Sequence, residues 1–161
     1  MVLRVYLDNC VFNRPYDRPS NARIISEANA KMAIQRAIAD GRLELSASFM
    51  LVTENSRCPN RIAREYNLSF IRSFKAVYVS RREKESFRPL IDEIAAVGIK
   101  PADAIHIACA IVSGCDCLIT VDDRMLKFDD PRVKIITPTE MVQVMEVRGW
   151  MGRLASIRPT R

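Results

Sequence analysis

Five short apolar runs punctuate the chain: "VLRVYL" (2–7), "LELSAS" (43–48), "AVYVS" (76–80), "CLIT" (117–120) and "VKIIT" (133–137). Longer stretches with helical spacing separate them. Strands that alternate with helices are joined by crossovers, which lead to an α/β fold with a central, mostly parallel sheet covered on both faces. In such a sheet the strand ends share one edge, and ligands bind there, near the point where strand order reverses. The sequence then poses one question: which polar residues follow strand ends?

The intervening segments carry their own boundary signals. Residues 21–40 read as a helix capped by Ser20 or Asn21, with Ile24, Ala28 and Met32 on one stripe and Gly41 as the stop. "FMLVTEN" (49–55) opens a short helix, and another follows Pro59 to about Phe74. A further helix is expected over 82–97, ending at Gly98. "PADAIHIACAIVSG" places proline just inside a helix start and glycine at its end. Thr137, Pro138 and Glu140 form a capping box ahead of the last helix.

With 161 residues, the chain is sized for one domain, expected over 1–149 with a basic tail at 150–161. No apolar run approaches the roughly 20 residues that span a bilayer. Asp8, Asn9 and Arg14 interrupt any signal-peptide-like core, so cytoplasmic placement without membrane contact is expected. The five cysteines form no C-x-x-C pair and His106 is the sole histidine, which argues against structural zinc and for reduced, mostly buried thiols. Net charge is +6 and arginine outnumbers lysine, as suits a polyanionic partner or merely a solvated basic surface.

Acids answer the strand-end question. Asp8 follows the first strand, and Asp122 and Asp123 follow "CLIT" after one valine. Glu54 lies several residues beyond "LELSAS". Asp103 opens the helix before "CLIT". A helix that leads straight into a strand is expected to start on the opposite edge, so Asp103 joins the others only if its helix continues from the preceding one around the top. Each acid has an ordinary alternative: Asp103 at the positive end of its helix, Asp122 and Asp123 in a turn or cap, Glu54 on the surface. Asp8 is the least ordinary, because apolar residues flank it and a buried carboxylate needs a partner or a cation. Converging carboxylates without Cys or His ligands select a hard ion, Mg²⁺ or Mn²⁺, which can polarise a phosphodiester and activate water.

"VYLDNC", "SASFMLVTEN", "KPADAIHIACA" and "LITVDDRML" occur in an order that resembles the PIN domain family, including VapC-like toxins of toxin–antitoxin pairs. The resemblance implies a three-layer α/β/α sandwich with four to five strands. It implies an Mg²⁺- or Mn²⁺-dependent endoribonuclease with Asp8, Glu54, Asp103 and Asp122 as metal-binding catalytic acids. Asp123, Thr120, Ser48 and Asn9 are accessory by the same likeness, and RNA, a cognate antitoxin and a second copy of the chain are the partners it suggests. Arg14, Arg57, Arg61 and Arg124 are candidate RNA contacts. Asn9 and Cys10 depart from the hydroxyl-bearing continuation common after the first acid, and the Arg- and Pro-rich segment 13–23 reads as a possible flap. Glu27 rivals Glu54 as the second acid, but its neighbours read as a solvated face. His106 reads as a core or interface histidine that can approach the site. The alternative function is a non-catalytic RNA- or protein-binding module on the same fold. A haloacid-dehalogenase-type phosphatase is disfavoured, because it needs an aspartate where Cys10 stands.

Overall fold

The computed structural model describes the backbone of residues 1–156 and the side chains of residues 1–149. Five strands form one parallel sheet: β1 (Leu3–Leu7), β2 (Leu43–Ser48), β3 (Lys75–Val79), β4 (Cys117–Ile119) and β5 (Lys134–Ile136), in the order β3-β2-β1-β4-β5. The order reverses between β1 and β4. Central β1 ends in three fully buried residues, Val5, Tyr6 and Leu7, and β2 is buried almost throughout, as a two-sided sheet requires.

Among the described residues seven helices cover the sheet: α1 (Asn9–Asn13), α2 (Ala22–Ala39), α3 (Phe49–Ser56), α4 (Arg61–Phe74), α5 (Arg88–Ala96), α6 (Pro101–Val112) and α7 (Pro138–Ser156). Right-handed crossovers put connections running in opposite directions along a sheet on opposite faces. Hence α2, between β1 and β2, packs with α7 on one face, while α5 and α6, between β3 and β4, pack together on the other. The result is a three-layer α/β/α sandwich. The expected domain limit at residue 149 falls inside α7, and residues 157–161 of the expected tail lie outside the described residues.

Three local expectations change. Residues 82–97 are not one helix: a 3₁₀ segment, Arg81–Phe87, precedes α5, whose first turn holds Pro89. Proline fits a helix start but removes the N–H a continuing helix would need. Asp103 reaches the strand-end edge for a simpler reason than expected. The end of α6 delivers the chain to the beginning of β4, where Asp116 N–H donates to Arg4 C=O at 2.8 Å, so α6 must begin at the other edge, where strands end. Finally, the buried face of α2 is not Ile24, Ala28 and Met32. It is Glu27, Ala30, Lys31, Ile34, Gln35, Ala37 and Ile38, while Met32 is exposed.

Lys31 stands out on that face. It is fully buried, and its ammonium lies 5.7 Å from the Phe12 ring centre and 5.6 Å from that of Tyr66, with no acid paired to it among the described residues. Aromatic faces offset only part of the lost hydration. Burial therefore lowers its pKa from 10.5 to about 8. Between those values the unfolded chain holds a proton that the folded chain has released, so stability rises with pH across that window. Lys31→Met is expected to raise stability near neutral pH by about 2 kcal/mol. It should also flatten the rise between pH 8 and pH 10.5, as urea denaturation across that range would reveal.

Candidate active site

The site forms where β1 and β4 lie side by side. Register pairs Leu7 with Ile119, and Asp8 N–H continues the ladder to Ile119 C=O at 3.0 Å, which sets Asp8 beside Thr120. Asp8 is 6% exposed and caps α1. Its Oδ1 accepts the Asn9 N–H at 2.7 Å. Its Oδ2 accepts the Thr120 hydroxyl at 2.9 Å and the Cys10 thiol at 3.0 Å. Thr120 Oγ1 in turn accepts the Asp122 N–H at 3.1 Å, so a single hydroxyl fixes both strand-end acids. The residues "NC" after Asp8 thus supply two of its donors. Burial and then the Asp8 charge raise the Cys10 pKa far above that of an ordinary thiol, so it remains a protonated donor.

Glu54 arrives from α3, whose N-cap Ser48 ends β2 and accepts the Leu51 N–H at 3.3 Å. His106, one turn along α6 from Asp103, is 1% exposed, and its Nε2 lies 3.0 Å from Glu54 Oε2 and 3.9 Å from Asp8 Oδ1. On the ring's other side Nδ1 meets Tyr6 Oη at 2.7 Å, and Tyr6 Oη meets Ser48 Oγ at 2.6 Å. This buried chain orients Glu54 from beneath. Burial alone would lower the His106 pKa, but the Glu54 hydrogen bond and the charges of Asp8, Glu54 and Asp103 outweigh it and raise it.

Ligand atoms of Asp8, Glu54 and His106 all lie within 4.8 Å of one another. Asp103 and Asp122 fall outside that tight group but share its field. Burial raises the Asp103 pKa, followed by the charges of Asp8 and Asp122, while His106 and Lys100 offset only part. A cluster short of positive charge fits a cation. With Nε2–H directed at the Glu54 carboxylate, His106 has no lone pair free there, so the available donors are carboxylate oxygens, the set a hard divalent ion takes.

Residues 5–131 match the PIN domain family. The chain belongs to that family. No curated protein resembles it closely enough to count as a match. Among solved structures it is similar to a chain of the VapBC2 complex from Rickettsia felis bound to a DNA fragment from their promoter. That superposition has a TM-score of 0.50 at 15% identity and covers 83% of this chain and 97% of that one, a likeness of fold.

The rest of the expected site of this PIN domain divides clearly. Glu27 is not on a solvated face: it is 3% exposed, because Arg14 and Arg23 each bring a guanidinium nitrogen to 2.8 Å from its carboxylate. Arg23 also grips exposed Asp123 at 2.8 Å and Val121 C=O at 3.2 Å. Segment 13–23 is therefore tied to the site's rim by an Arg14–Glu27–Arg23–Asp123 chain rather than standing off as a flap. The Arg23 hydrogen bond holds the Asp123 carboxyl below its usual pKa. Arg14 is occupied by Glu27 and Asp17, and exposed Arg61 pairs with Glu65. Arg57 is exposed, and Arg124 is exposed beside Asp122. Asn9 accepts from Asn13 at 3.4 Å, and half-buried Asn13 and buried Asn55 both accept from buried Asn67 at 3.1 Å, an amide network that the sequence pattern did not reveal. Thr120→Val keeps the shape but removes the hydroxyl that serves both Asp8 and Asp122. A loss of about 1–3 kcal/mol is expected in urea denaturation with EDTA present; an unchanged midpoint would refute the role given to Thr120.

Proposed function

We propose that this PIN domain is an endoribonuclease dependent on Mg²⁺ or Mn²⁺ that hydrolyses RNA phosphodiester bonds. The observation that carries the reading is the meeting of Asp8 and Glu54 beside Asp103 and Asp122, at the reversal in strand order, where among the described residues the one arginine paired with these acids is exposed Arg124, 4.0 Å from Asp122. PIN domains are in general nucleases, and the basic chain suits a polyanionic substrate.

Asp8, Glu54, Asp103 and Asp122 would hold the cation. When bound, the ion supplies Lewis-acid polarisation of the phosphodiester and a nucleophile from water at neutral pH. The chain's own part is orientation: Thr120 and Cys10 fix one oxygen of Asp8, and His106 fixes one oxygen of Glu54. Preorganised ligands save the reorganisation that flexible ones would undergo. Neither Cys10 nor Ser48 acts as nucleophile, since the thiol stays protonated and the hydroxyl is spent on Tyr6 and the α3 cap.

The biological setting that this proposal favours is a cytoplasmic VapC-type toxin, acting as a homodimer and held by a cognate antitoxin. Its support is the structural likeness to a chain of a VapBC complex. Among the described residues no helix is long and apolar enough to cross a membrane.

Purified protein should cleave single-stranded RNA when Mg²⁺ or Mn²⁺ is added, and Asp8→Asn should lower the rate by about a hundredfold or more, equivalent to about 3 kcal/mol. Cleavage undiminished by EDTA, or retained in Asp8→Asn, would overturn the proposal.

A further inference from the structure

A cleft of about 450 Å³ opens between the turn joining α5 to α6 and the turn that follows Asp122. Val97, Ile99 and Phe128 supply its apolar lining, Arg124 and Lys127 its positive charge, and Asp129 also borders it. Val97 is 67% exposed, and Ile99 and Phe128 are half-buried with one side packed on the core.

Both walls are continuous with the acidic site. Arg124 N–H donates to Asp122 Oδ1 at 2.7 Å, and Arg124 Nε lies 4.0 Å from the same oxygen. The opposite wall runs through Lys100 into the first turn of α6, which carries Asp103. The cleft is therefore built from the two chain segments that carry Asp122 and Asp103, with Arg124 as the link to Asp122.

The lining chemistry narrows the occupant. A free metal ion gains nothing from Val97, Ile99 and Phe128, and a simple anion gains nothing from an apolar wall. A nucleotide offers both a flat apolar face and a phosphate that pairs with guanidinium or ammonium groups. The volume falls within the range of roughly 300–1,000 Å³ usual for ligand pockets. We infer that this cleft is a base subsite, in which Val97, Ile99 and Phe128 receive an unstacked nucleobase next to the scissile bond and Arg124 and Lys127 contact the adjoining phosphate. The inference rests on the ribonuclease reading above and adds to it. It requires a base free to leave its neighbours, so unpaired RNA is the substrate form and the residue beside the cut sets the preference.

The test uses the full chain with Mg²⁺ and a short unpaired oligoribonucleotide whose cleaved bond has been mapped. Two further substrates each replace one nucleotide flanking that bond by an abasic one. For wild-type protein, one abasic substrate should lose about tenfold in kcat/KM, mainly through KM, because the base no longer fills the apolar lining. Val97→Trp fills the cleft from an exposed position, and thermal melting monitors its fold. In that variant the intact RNA should be cut as slowly as the abasic one, with the abasic penalty gone. Metal-dependent cleavage indifferent to both abasic positions overturns the subsite and leaves the nuclease reading standing, as does a penalty that persists in Val97→Trp. No metal-dependent cleavage of any RNA overturns both.

Discussion

Carboxylates brought together in a protein repel one another, and that repulsion is the constraint around which this fold is organised. Parallel strands deliver Asp8 and the Asp122 turn to one edge, α3 and α6 add Glu54 and Asp103, and burial sharpens the conflict. The protein meets it mainly with hydrogen-bond donors: among the described residues no lysine or arginine pairs with Asp8, Glu54 or Asp103, and exposed Arg124 reaches only Asp122, at 4.0 Å. Thr120, Cys10 and the Asn9 N–H serve Asp8, while His106 serves Glu54 and is itself backed by Tyr6 and Ser48. Such an arrangement orients oxygens without neutralising them, which leaves room for a cation.

Positive charge is placed around the cluster instead. Arg14 and Arg23 converge on buried Glu27, and Arg23 extends to Asp123 and Val121 C=O. The same helix buries Lys31 between aromatic rings at an energetic cost. One face of α2 thus holds Glu27, Lys31 and Gln35 four residues apart, where an amphipathic helix would place apolar residues. Arg124 and Lys127 lie on the other side of the acids, along a wall that also exposes Val97.

Strands, caps and layer count were legible in the sequence because each rests on local chemistry. "LELSAS" is β2 from Leu43 to Ser48, and Thr137 with Glu140 forms the capping box of α7 at 2.7 and 3.2 Å. The α2 face was not, since its buried positions include polar residues whose partners come from elsewhere in the chain: Arg14 folds back from a 3₁₀ turn, and Tyr66 belongs to α4. The doubt over where Asp103 lies was one of geometry rather than pattern, and the turn from α5 into α6 meets the condition set for it. Helix starts and strand ends share an edge in a parallel sheet, and the path from α6 to β4 makes that unavoidable. His106 proved to be a core histidine that also touches the site. Its spacing of three from Asp103 was visible, but the 3.0 Å contact with Glu54 depends on how α3 and α6 meet. The arginine candidates separated for the same reason: Arg14 is spent internally, whereas Arg57 and Arg124 stay exposed.

A carboxylate cluster arranged in this way is expected to take a hard cation in solution. Calorimetric titration of the metal-free protein with Mn²⁺ measures this without reference to any substrate. Saturable binding is expected for the wild-type chain, with affinity reduced about tenfold or more, or about 1.4 kcal/mol, when Glu54→Gln or Asp122→Asn removes one donor. An absence of saturable heat at millimolar Mn²⁺, with the protein shown to be folded, would contradict it.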